Sequence, residues 1–214
     1  MTPPYLAQAY SYSKRAIAPA LRRNVPLPED DLFDGNDSLF KELLKETRIY
    51  GEYGCGKSTL WVAENTDAMI RSAETALEWF ERISAAVDSK STKIRLEWID
   101  LGPVEPWGYP KTYEKRHRIR DYLNSIWKNE NEKPDTVLID GRFRVACFLN
   151  SLLHARPGTR ILFDDYTHRS RYHVVEEFIR PARVCGRQAL FVVPTSLDIA
   201  RAEGELNKFE YVME

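Results

Sequence analysis

The sequence predicts an α/β fold in which a mostly parallel β-sheet is covered by helices on both faces. From residue 47 onward, short apolar runs of strand length alternate with longer runs that have helical spacing. Strands that are separated by helices are joined by right-handed crossovers and pair in parallel. Acidic residues end five successive predicted strands, and the carboxyl ends of such strands are where open α/β sheets bind ligands.

The first 46 residues are predicted to form a helical cap on the substrate side of a main domain that spans residues 47–214. Residues 5–23 carry apolar side chains at helical spacing, and an extended proline-containing linker follows at residues 25–28. A short helix over residues 39–45 has one apolar stripe. We expect this cap to help select the substrate.

The main domain is predicted to alternate between strands and helices along its whole length. Apolar runs bounded by turn residues predict strands at residues 48–52, 68–74, 94–101, 136–140, 160–164, 188–193 and 209–213. Helical spacing between these runs predicts helices at residues 58–65, 76–87, 113–129, 144–154, 173–183 and 198–207. A proline-rich loop follows the third strand, and its Trp107 is a candidate lid residue.

Composition limits the classes of partner. The net charge of −1, with acids and bases mixed along the chain, argues against a nucleic-acid partner. No apolar run approaches the roughly 20 residues of a membrane span, and the N-terminus lacks the apolar region of a secretory signal. Three widely spaced cysteines without a C-x-x-C pair favour a reducing compartment. We therefore expect a cytoplasmic protein, monomeric or homodimeric, that binds a small molecule or a saccharide.

The turn after the first strand, GEYGCGKST, matches the P-loop pattern of nucleotide-binding enzymes. Gly51, Gly56, Lys57 and Ser58 satisfy the spacing G-x-x-x-x-G-K-[ST]. A small kinase-like enzyme that binds phosphate through these residues is therefore one alternative. A P-loop enzyme needs one acidic residue for magnesium, however, and has no need for carboxylates at the ends of the first three strands.

The strand-end acids fit a neutral or cationic nucleoside better, and S-adenosylmethionine is such a ligand. Glu74, after the second strand, is suited to accept hydrogen bonds from both ribose hydroxyls. Asp100, after the third strand, is suited to accept from the adenine amine, and Glu52 to meet the ammonium end directly or through water. Gly54 and Gly56 lack a Cβ and would let the backbone approach the ligand.

Four segments in order carry a more specific signal: EYGCGKST at 52–59, WIDLGPVEPWGYP at 98–110, VLIDGRFRVACFL at 137–149 and ILFDDYTHRSRYHVVEEFI at 161–179. Together they resemble a group of bacterial class I S-adenosylmethionine-dependent methyltransferase-like proteins. The resemblance implies a Rossmann-like seven-stranded sheet whose antiparallel C-terminal strand would be residues 209–213. Lys57 departs from the family, in which a small residue is common at that position.

The cofactor-binding residues predicted from the motifs and the resemblance are Glu52, Tyr53, Gly54, Gly56, Ser58, Thr59, Glu74, Thr75, Asp100, Asp140 and Gly141. The spacing of Asp140, Asp164 and Asp165 also resembles the metal ligands of cation-dependent O-methyltransferases, and an oxygen-ligated Mg²⁺ or Ca²⁺ there would lower the pKa of a bound hydroxyl. The Asp-Asp pair stands where those enzymes have an acid and an amide, so the match is incomplete.

The predicted chemistry is methyl transfer to a hydroxyl or carboxyl of a small metabolite or saccharide. The candidate catalytic residues are Asp140, His168 and Asp164, since a carboxylate or a histidine can act as general base. The candidate substrate-binding residues are Arg142, Asp165, Tyr166, Arg169, Arg171 and His173. Arg142 and Arg144 have two interpretations: they bind an acidic acceptor or they pair internally with Asp140 and Asp164. A non-catalytic scaffold protein that keeps the fold is a further alternative.

Overall fold

The computed structural model describes residues 32–33, 36–87 and 93–213, so the predicted helix over residues 5–23 lies outside the described residues. The strands of the main sheet are β1 Ile49–Tyr53, β2 Met69–Glu74, β3 Ile94–Trp98, β4 Thr136–Ile139, β5 Arg160–Phe163, β6 Arg183–Cys185 and β7 Gln188–Val192. The α-helices are α1 Ser38–Leu44, α2 Lys57–Asn65, α3 Leu77–Ala86, α4 Ile119–Asn124, α5 Arg144–His154 and α6 Ile199–Phe209. Short 3-10 helices lie at Pro106–Gly108, Arg116–Arg118, Ser125–Trp127, Glu130–Glu132 and Ser170–Glu177.

The sheet has seven strands in the order β3-β2-β1-β4-β5-β7-β6. β3, β2, β1, β4 and β5 pair in parallel, whereas β7 is antiparallel to both β5 and β6. The order reverses between β1 and β4, and ligands of open α/β sheets bind beside such a reversal. The predicted fold class, a Rossmann-like sheet with one antiparallel strand, is confirmed.

The C-terminal third differs from the sequence prediction in two places. The antiparallel strand is β7, formed by Gln188–Val192, and not residues 209–213, which form the end of α6 and a turn. The helix predicted over residues 173–183 is a 3-10 helix, Ser170–Glu177, followed by β6. Pro181 explains this difference, because proline inside an α-helix removes a hydrogen bond and clashes with the preceding turn. Gly186, with φ +57°, then turns β6 directly into β7.

The helix predicted over residues 113–129 is also interrupted. It consists of the 3-10 helix Arg116–Arg118, the six-residue helix α4 and the 3-10 helix Ser125–Trp127. These pieces nevertheless bury one apolar face, which includes Ile119, Leu123 and Trp127. The periodicity therefore identified the buried face and not the continuity of the helix.

Two hydrophobic clusters cover the two faces of the sheet. One includes Phe148 of α5 together with Phe163 of β5 and Phe191 of β7. The other includes Phe40 of α1 and Tyr50 of β1, whose ring centroids lie 6.0 Å apart. Within the described residues, no helix has both the length and the apolar character needed to cross a membrane.

Candidate functional site

The carboxyl ends of β1 and β4 meet at two glycines, Gly54 and Gly141. Gly54 has φ +93°, and a Cβ built on it would lie 2.8 Å from the Cα of Gly141. A Cβ on Gly141 would lie 2.2 Å from the hydroxyl of Tyr122 and 2.9 Å from the amide nitrogen of Gly54. Close packing of one loop on the other therefore requires both glycines, and the role of Gly54 in ligand approach stays a prediction. Gly56 differs, because a Cβ there would have no atom within 4 Å.

Glu52 is a hydrogen-bond acceptor beside the glycine turn. Its side chain is fully buried. Oε2 accepts hydrogen bonds from the hydroxyls of Tyr50 at 2.8 Å and Ser58 at 2.9 Å, and Oε1 accepts one from Thr59. Burial raises the pKa of Glu52, although these hydroxyls oppose the shift. A direct contact between Glu52 and a ligand is excluded in this arrangement, since the carboxylate has no exposed surface, and the contact through water stays a prediction.

The side chains of Tyr53, Ser58 and Thr59 also point into the protein. Tyr53 is fully buried, and its hydroxyl accepts a hydrogen bond from Trp127 Nε1 at 2.9 Å. Ser58 and Thr59 are committed to Glu52, and the Thr59 hydroxyl also accepts from the amide of Gly56 at 2.9 Å. The predicted role of these three side chains as ligand contacts is corrected: Tyr53 packs in the core, and Ser58 and Thr59 stabilise the turn.

The turn is too short to be a P-loop. Gly51 lies inside β1, where it is paired with Arg71 on one side and Val137 on the other. Only residues 54–56 connect β1 to α2, whereas a P-loop surrounds a phosphate with a longer run of backbone amides. The hydroxyl that would bind magnesium, that of Ser58, is buried against Glu52. The kinase-like alternative is therefore wrong.

Glu74, at the end of β2, accepts hydrogen bonds from three backbone amides in two segments. Its Oε1 accepts from the amides of Thr75 at 2.7 Å and Ala76 at 2.8 Å, and its Oε2 accepts from the amide of Cys55 at 3.1 Å. Burial raises the pKa of Glu74, and these amides oppose the shift. A carboxylate has about four acceptor positions, so this arrangement leaves about one of them for a ligand.

The segment 102–110, called here the 102–110 loop, lies over Glu74. A Cβ built on Gly108 would lie 2.7 Å from Thr75 Oγ1 and 3.6 Å from Glu74 Oε1. The Thr75 hydroxyl donates to the carbonyl of Gly108 at 3.2 Å. Trp107 has φ +73°, an unfavourable backbone conformation for a tryptophan. Contact between a ligand and both oxygens of Glu74 therefore requires this loop to move.

Asp100 follows β3, at the edge where the sequence predicts an adenine. Its Oδ1 accepts from the amide of Gly102 at 2.8 Å, and its Oδ2 forms an ion pair with Lys115. The hydrogen bond from Lys115 lowers the pKa of Asp100. The carboxylate is thus ionised and partly exposed, with Lys115 as a competing partner.

Asp140, Asp164 and Asp165 converge at the ends of β4 and β5, with one carboxylate oxygen of each within 4.8 Å of the others. Three arginines neutralise them. Arg144 Nη2 lies 2.9 Å from Asp140 Oδ1, Arg187 Nη2 lies 2.7 Å from Asp164 Oδ2, and Arg169 Nη2 lies 2.6 Å from Asp165 Oδ2.

This cluster does not fit a metal ion as it stands. Asp164 is fully buried and also accepts from Gln188 Nε2 at 3.0 Å. A divalent cation prefers several free carboxylate or carbonyl oxygens, and here each carboxylate is already paired with a guanidinium. The sequence correctly predicts the convergence, but the structure assigns these carboxylates to arginine pairs. Asp164, which has no exposed surface, is corrected from a catalytic group to a structural one.

Asp140 is the acid in this cluster with the most exposed side chain, at 33%. Burial of the carboxyl and the charge of Asp164 raise its pKa to about 8, while Arg144 opposes the shift. Asp165 has the opposite balance, because its arginine neighbours outweigh burial and lower its pKa. Neighbouring acids whose pKa values are driven apart are typical of acid–base sites, and a carboxyl with a pKa near 8 can exchange protons at neutral pH.

The segment that follows β5 contributes fewer contacts than the sequence predicts. His168, Arg171 and His173 are exposed. The ring of His173 packs at a tilt of 35° against Tyr166 with 4.8 Å between ring centroids, and Tyr166 is buried with its hydroxyl donating to Glu176 at 2.8 Å. The structure therefore corrects Tyr166 from a substrate contact to a core residue, whereas His168, Arg171 and His173 stay predictions as ligand groups.

The two arginines of the DGRFR motif differ in their surroundings. Arg144 is buried and donates to the carbonyls of Gly141 at 3.0 Å and Asp164 at 2.7 Å and to Asp140. Arg142 is 7% exposed and lies over the ring of Tyr109, with 4.2 Å from its guanidinium carbon to the ring centroid. Its Nε is buried and has no hydrogen-bond partner among the described residues. Internal pairing is thus correct for Arg144 only.

Sequence reasoning missed Arg187, Gln188 and Tyr109. Arg187 lies in the β6–β7 turn and Gln188 begins β7, and both side chains reach Asp164 at the end of the neighbouring strand β5. The sequence offers one indication of Arg187, the pair Gly186-Arg187, in which the glycine indicates a turn and the arginine places a cation beside it. No local pattern connects that turn to Asp164, because the contact depends on strand order.

Comparison with family models and with curated proteins finds no match. Among solved structures, the chain is similar to a methyltransferase-like protein from Silicibacter pomeroyi DSS-3, with 29% identity and a TM-score of 0.70 over 82% of this chain and 95% of that chain. It is also similar to an O-methyltransferase from Bacillus cereus in complex with S-adenosylhomocysteine, with 17% identity and a TM-score of 0.54 over 86% of this chain and 89% of that chain.

A cofactor-bound protein from MTB is similar at 17% identity, with a TM-score of 0.53 over 91% of this chain and 92% of that chain. The strand order, the antiparallel β7 and these similarities agree with one another. The chain therefore has the Rossmann-like fold of the class I S-adenosylmethionine-dependent methyltransferases.

Proposed function

We propose that this protein is an S-adenosylmethionine-dependent methyltransferase that methylates a hydroxyl or carboxyl oxygen of a small metabolite or saccharide. The observation that carries the proposal is the convergence of Gly56, Glu74 and Asp140 at the carboxyl edge of the sheet. The amide of Cys55, next to Gly56, donates to Glu74 at 3.1 Å, and the same turn packs on Gly141, next to Asp140. The similarity to methyltransferases of this fold supports the same function.

The proposed cofactor site lies on the open side of Gly56. A ligand can approach the backbone there, since no atom lies within 4 Å of a Cβ position on Gly56. Glu74 would accept from the ribose hydroxyls once the 102–110 loop moves, and Asp100 would accept from the adenine amine. The N-terminus of α2 begins directly after Gly56 and favours a negatively charged group such as the cofactor carboxylate.

Asp140 is the proposed general base. The bound cofactor supplies a methyl group on a positively charged sulfur. Asp140 Oδ1 accepts from Arg144 Nη2 at 2.9 Å, so we assign Oδ2 as the atom that takes the proton of an acceptor hydroxyl. Arg144 keeps the carboxyl oriented, and the raised pKa of about 8 makes the carboxylate a stronger base than an ordinary aspartate. A carboxylate acceptor would need orientation and no base.

The test is calorimetric titration with S-adenosylhomocysteine. We expect the wild-type protein to bind it, Glu74→Gln to weaken binding roughly tenfold through loss of a charged acceptor, and Glu78→Gln to change it little. Glu78 is an exposed acid in the first turn of α3 and is therefore a matched control. Absence of binding in the wild-type protein contradicts the proposal, whereas binding without methyl transfer to hydroxyl and carboxyl acceptors favours the scaffold alternative. The cytoplasmic location and the oligomeric state stay predictions.

A further inference from the structure

We propose that Arg142 recognises an anionic group, a carboxylate or a phosphate, on the methyl acceptor. This inference rests on the proposed methyltransferase function and adds a substrate class to it. The residue lies two positions after Asp140 on the loop that follows β4. It is 7% exposed, and its Nε is buried without a hydrogen-bond partner among the described residues.

The lack of a partner distinguishes Arg142 from the arginines around it. Arg144, Arg169 and Arg187 each lie within hydrogen-bond distance of a carboxylate. Burial of a charged group without a partner is costly, and buried polar atoms are nearly always hydrogen-bonded. A guanidinium held inside the protein with a free Nε is therefore suited to a ligand that supplies the missing acceptors.

Tyr109 fixes the orientation of this guanidinium. The guanidinium carbon lies 4.2 Å from the centroid of the Tyr109 ring, which is a favourable cation–π distance. The ring covers one face of the guanidinium, and the Nε–H at its edge has no acceptor among the described residues. That edge matches the two oxygens of a carboxylate or a phosphate.

The acids near Arg142 do not serve as its hydrogen-bond partners. Burial raises the pKa of Glu74, and the charge of Arg142 opposes that rise. The same charge adds to the effect of the other arginines that lower the pKa of Asp165. Glu74 instead accepts from three backbone amides, and Asp165 is paired with Arg169 at 2.6 Å. Both acids are thus hydrogen-bonded to groups other than Arg142.

The acceptor is a better source of the anion than the cofactor carboxylate. The cofactor carboxylate already has a favourable position at the N-terminus of α2, beside Gly56. Arg142 comes from the β4 loop, which also carries Asp140. An anion bound by Arg142 would therefore hold the acceptor next to the group that removes its proton.

The experiment titrates inorganic phosphate and, separately, acetate into the full chain at constant ionic strength. The readout is the NMR signal of the Arg142 Nε–H group, which is assigned by its loss in Arg142→Lys. We expect phosphate to shift this signal and to bind roughly tenfold more weakly to Arg142→Gln. Arg180→Gln removes an exposed arginine and should leave phosphate binding unchanged. An Arg142 signal that neither anion moves overturns the inference.

A second arm separates acceptor from cofactor. S-adenosylhomocysteine carries a carboxylate, and methylthioadenosine lacks it. We expect Arg142→Gln to change the affinities for both nucleosides equally and little. Selective loss of affinity for S-adenosylhomocysteine assigns Arg142 to the cofactor carboxylate and overturns the inference. The phosphate titration needs no nucleoside. Failure of the proposed function, seen as no nucleoside binding, is therefore distinguishable from failure of the Arg142 inference, seen as no response of the Arg142 signal to either anion.

Discussion

Two buried acids at neighbouring strand ends, Glu52 and Glu74, should respond differently to replacement by glutamine. Burial raises the pKa of both. Their hydrogen-bond donors differ in kind: hydroxyls surround Glu52, and backbone amides surround Glu74. A hydroxyl can rotate and accept a hydrogen bond from a glutamine amide, whereas a backbone N–H can only donate.

The expected magnitudes follow from this difference. In Glu74→Gln, one oxygen can still accept from the amides of Thr75 and Ala76, but the new NH₂ group faces the amide of Cys55. A buried donor left without an acceptor costs about 1–3 kcal/mol. In Glu52→Gln, every hydroxyl can keep a partner and a desolvated charge is removed, so we expect a change of less than about 1 kcal/mol, in either direction.

Urea unfolding followed by tryptophan fluorescence measures both free energies, and the five tryptophans give an intrinsic signal. For a chain of this size, 1 kcal/mol corresponds to a change in Tm of about 2–4 °C. Calorimetry gives an independent measurement, because Glu74→Gln should also weaken S-adenosylhomocysteine binding, whereas Glu52→Gln should not. If Glu52→Gln lowers the free energy of unfolding as much as Glu74→Gln, or more, the difference between hydroxyl and amide donors does not govern the stability of these two sites.

Three further predictions concern pH, packing and metal. The pKa of Asp140 is raised to about 8 from 3.8, so its contribution to stability is present below pH 3.8 and is lost as the pH rises to about 8. In Asp140→Asn, the free energy of unfolding should fall less steeply with pH across that window, by up to about 1.4 kcal/mol per pH unit. Equal pH slopes in the wild-type protein and the variant would contradict this. Gly141→Ala should lower the free energy of unfolding by about 1–3 kcal/mol through overpacking. Gly56→Ala should change it by less than about 1 kcal/mol but weaken S-adenosylhomocysteine binding. If urea unfolding shows a larger loss for Gly56→Ala than for Gly141→Ala, the packing role of Gly141 and the ligand-facing role of Gly56 are both wrong. Excess chelator should leave methyl transfer unchanged, because Arg187 and the neighbouring arginines are paired with the acidic cluster. Loss of activity in chelator and its recovery on addition of Mg²⁺ would show that a metal is required.

Local patterns predicted much of the fold. Apolar runs of four to six residues located β1, β2, β4, β5 and β7 to within about two residues. They failed at β6 and at residues 209–213. A three-residue edge strand has too little periodicity to be recognised, and the apolar residues near the C-terminus pack at the end of α6 without pairing to the sheet.

For the site, the sequence alone shows which strand ends carry acids and predicts that these ends lie along one edge. Parallel strands bring their carboxyl ends to the same edge whatever the side chains are, so Glu74, Asp140 and Asp164 were predictable at that edge. What each acid does depends on the tertiary structure. Glu52 and Asp164 are fully buried against hydroxyls and Arg187, whereas the Asp140 side chain is 33% exposed.

The same division separates the two arginines of DGRFR. Their spacing in the sequence gives both the same chemistry and the same two possible roles. The packing of Arg144 against Asp140, and of Arg142 against Tyr109 from a distant loop, makes one a structural partner and leaves the other for a ligand. Pairing of a buried charge depends on which atoms lie within about 3 Å, and that distance is set by the packing of loops that are far apart in the chain.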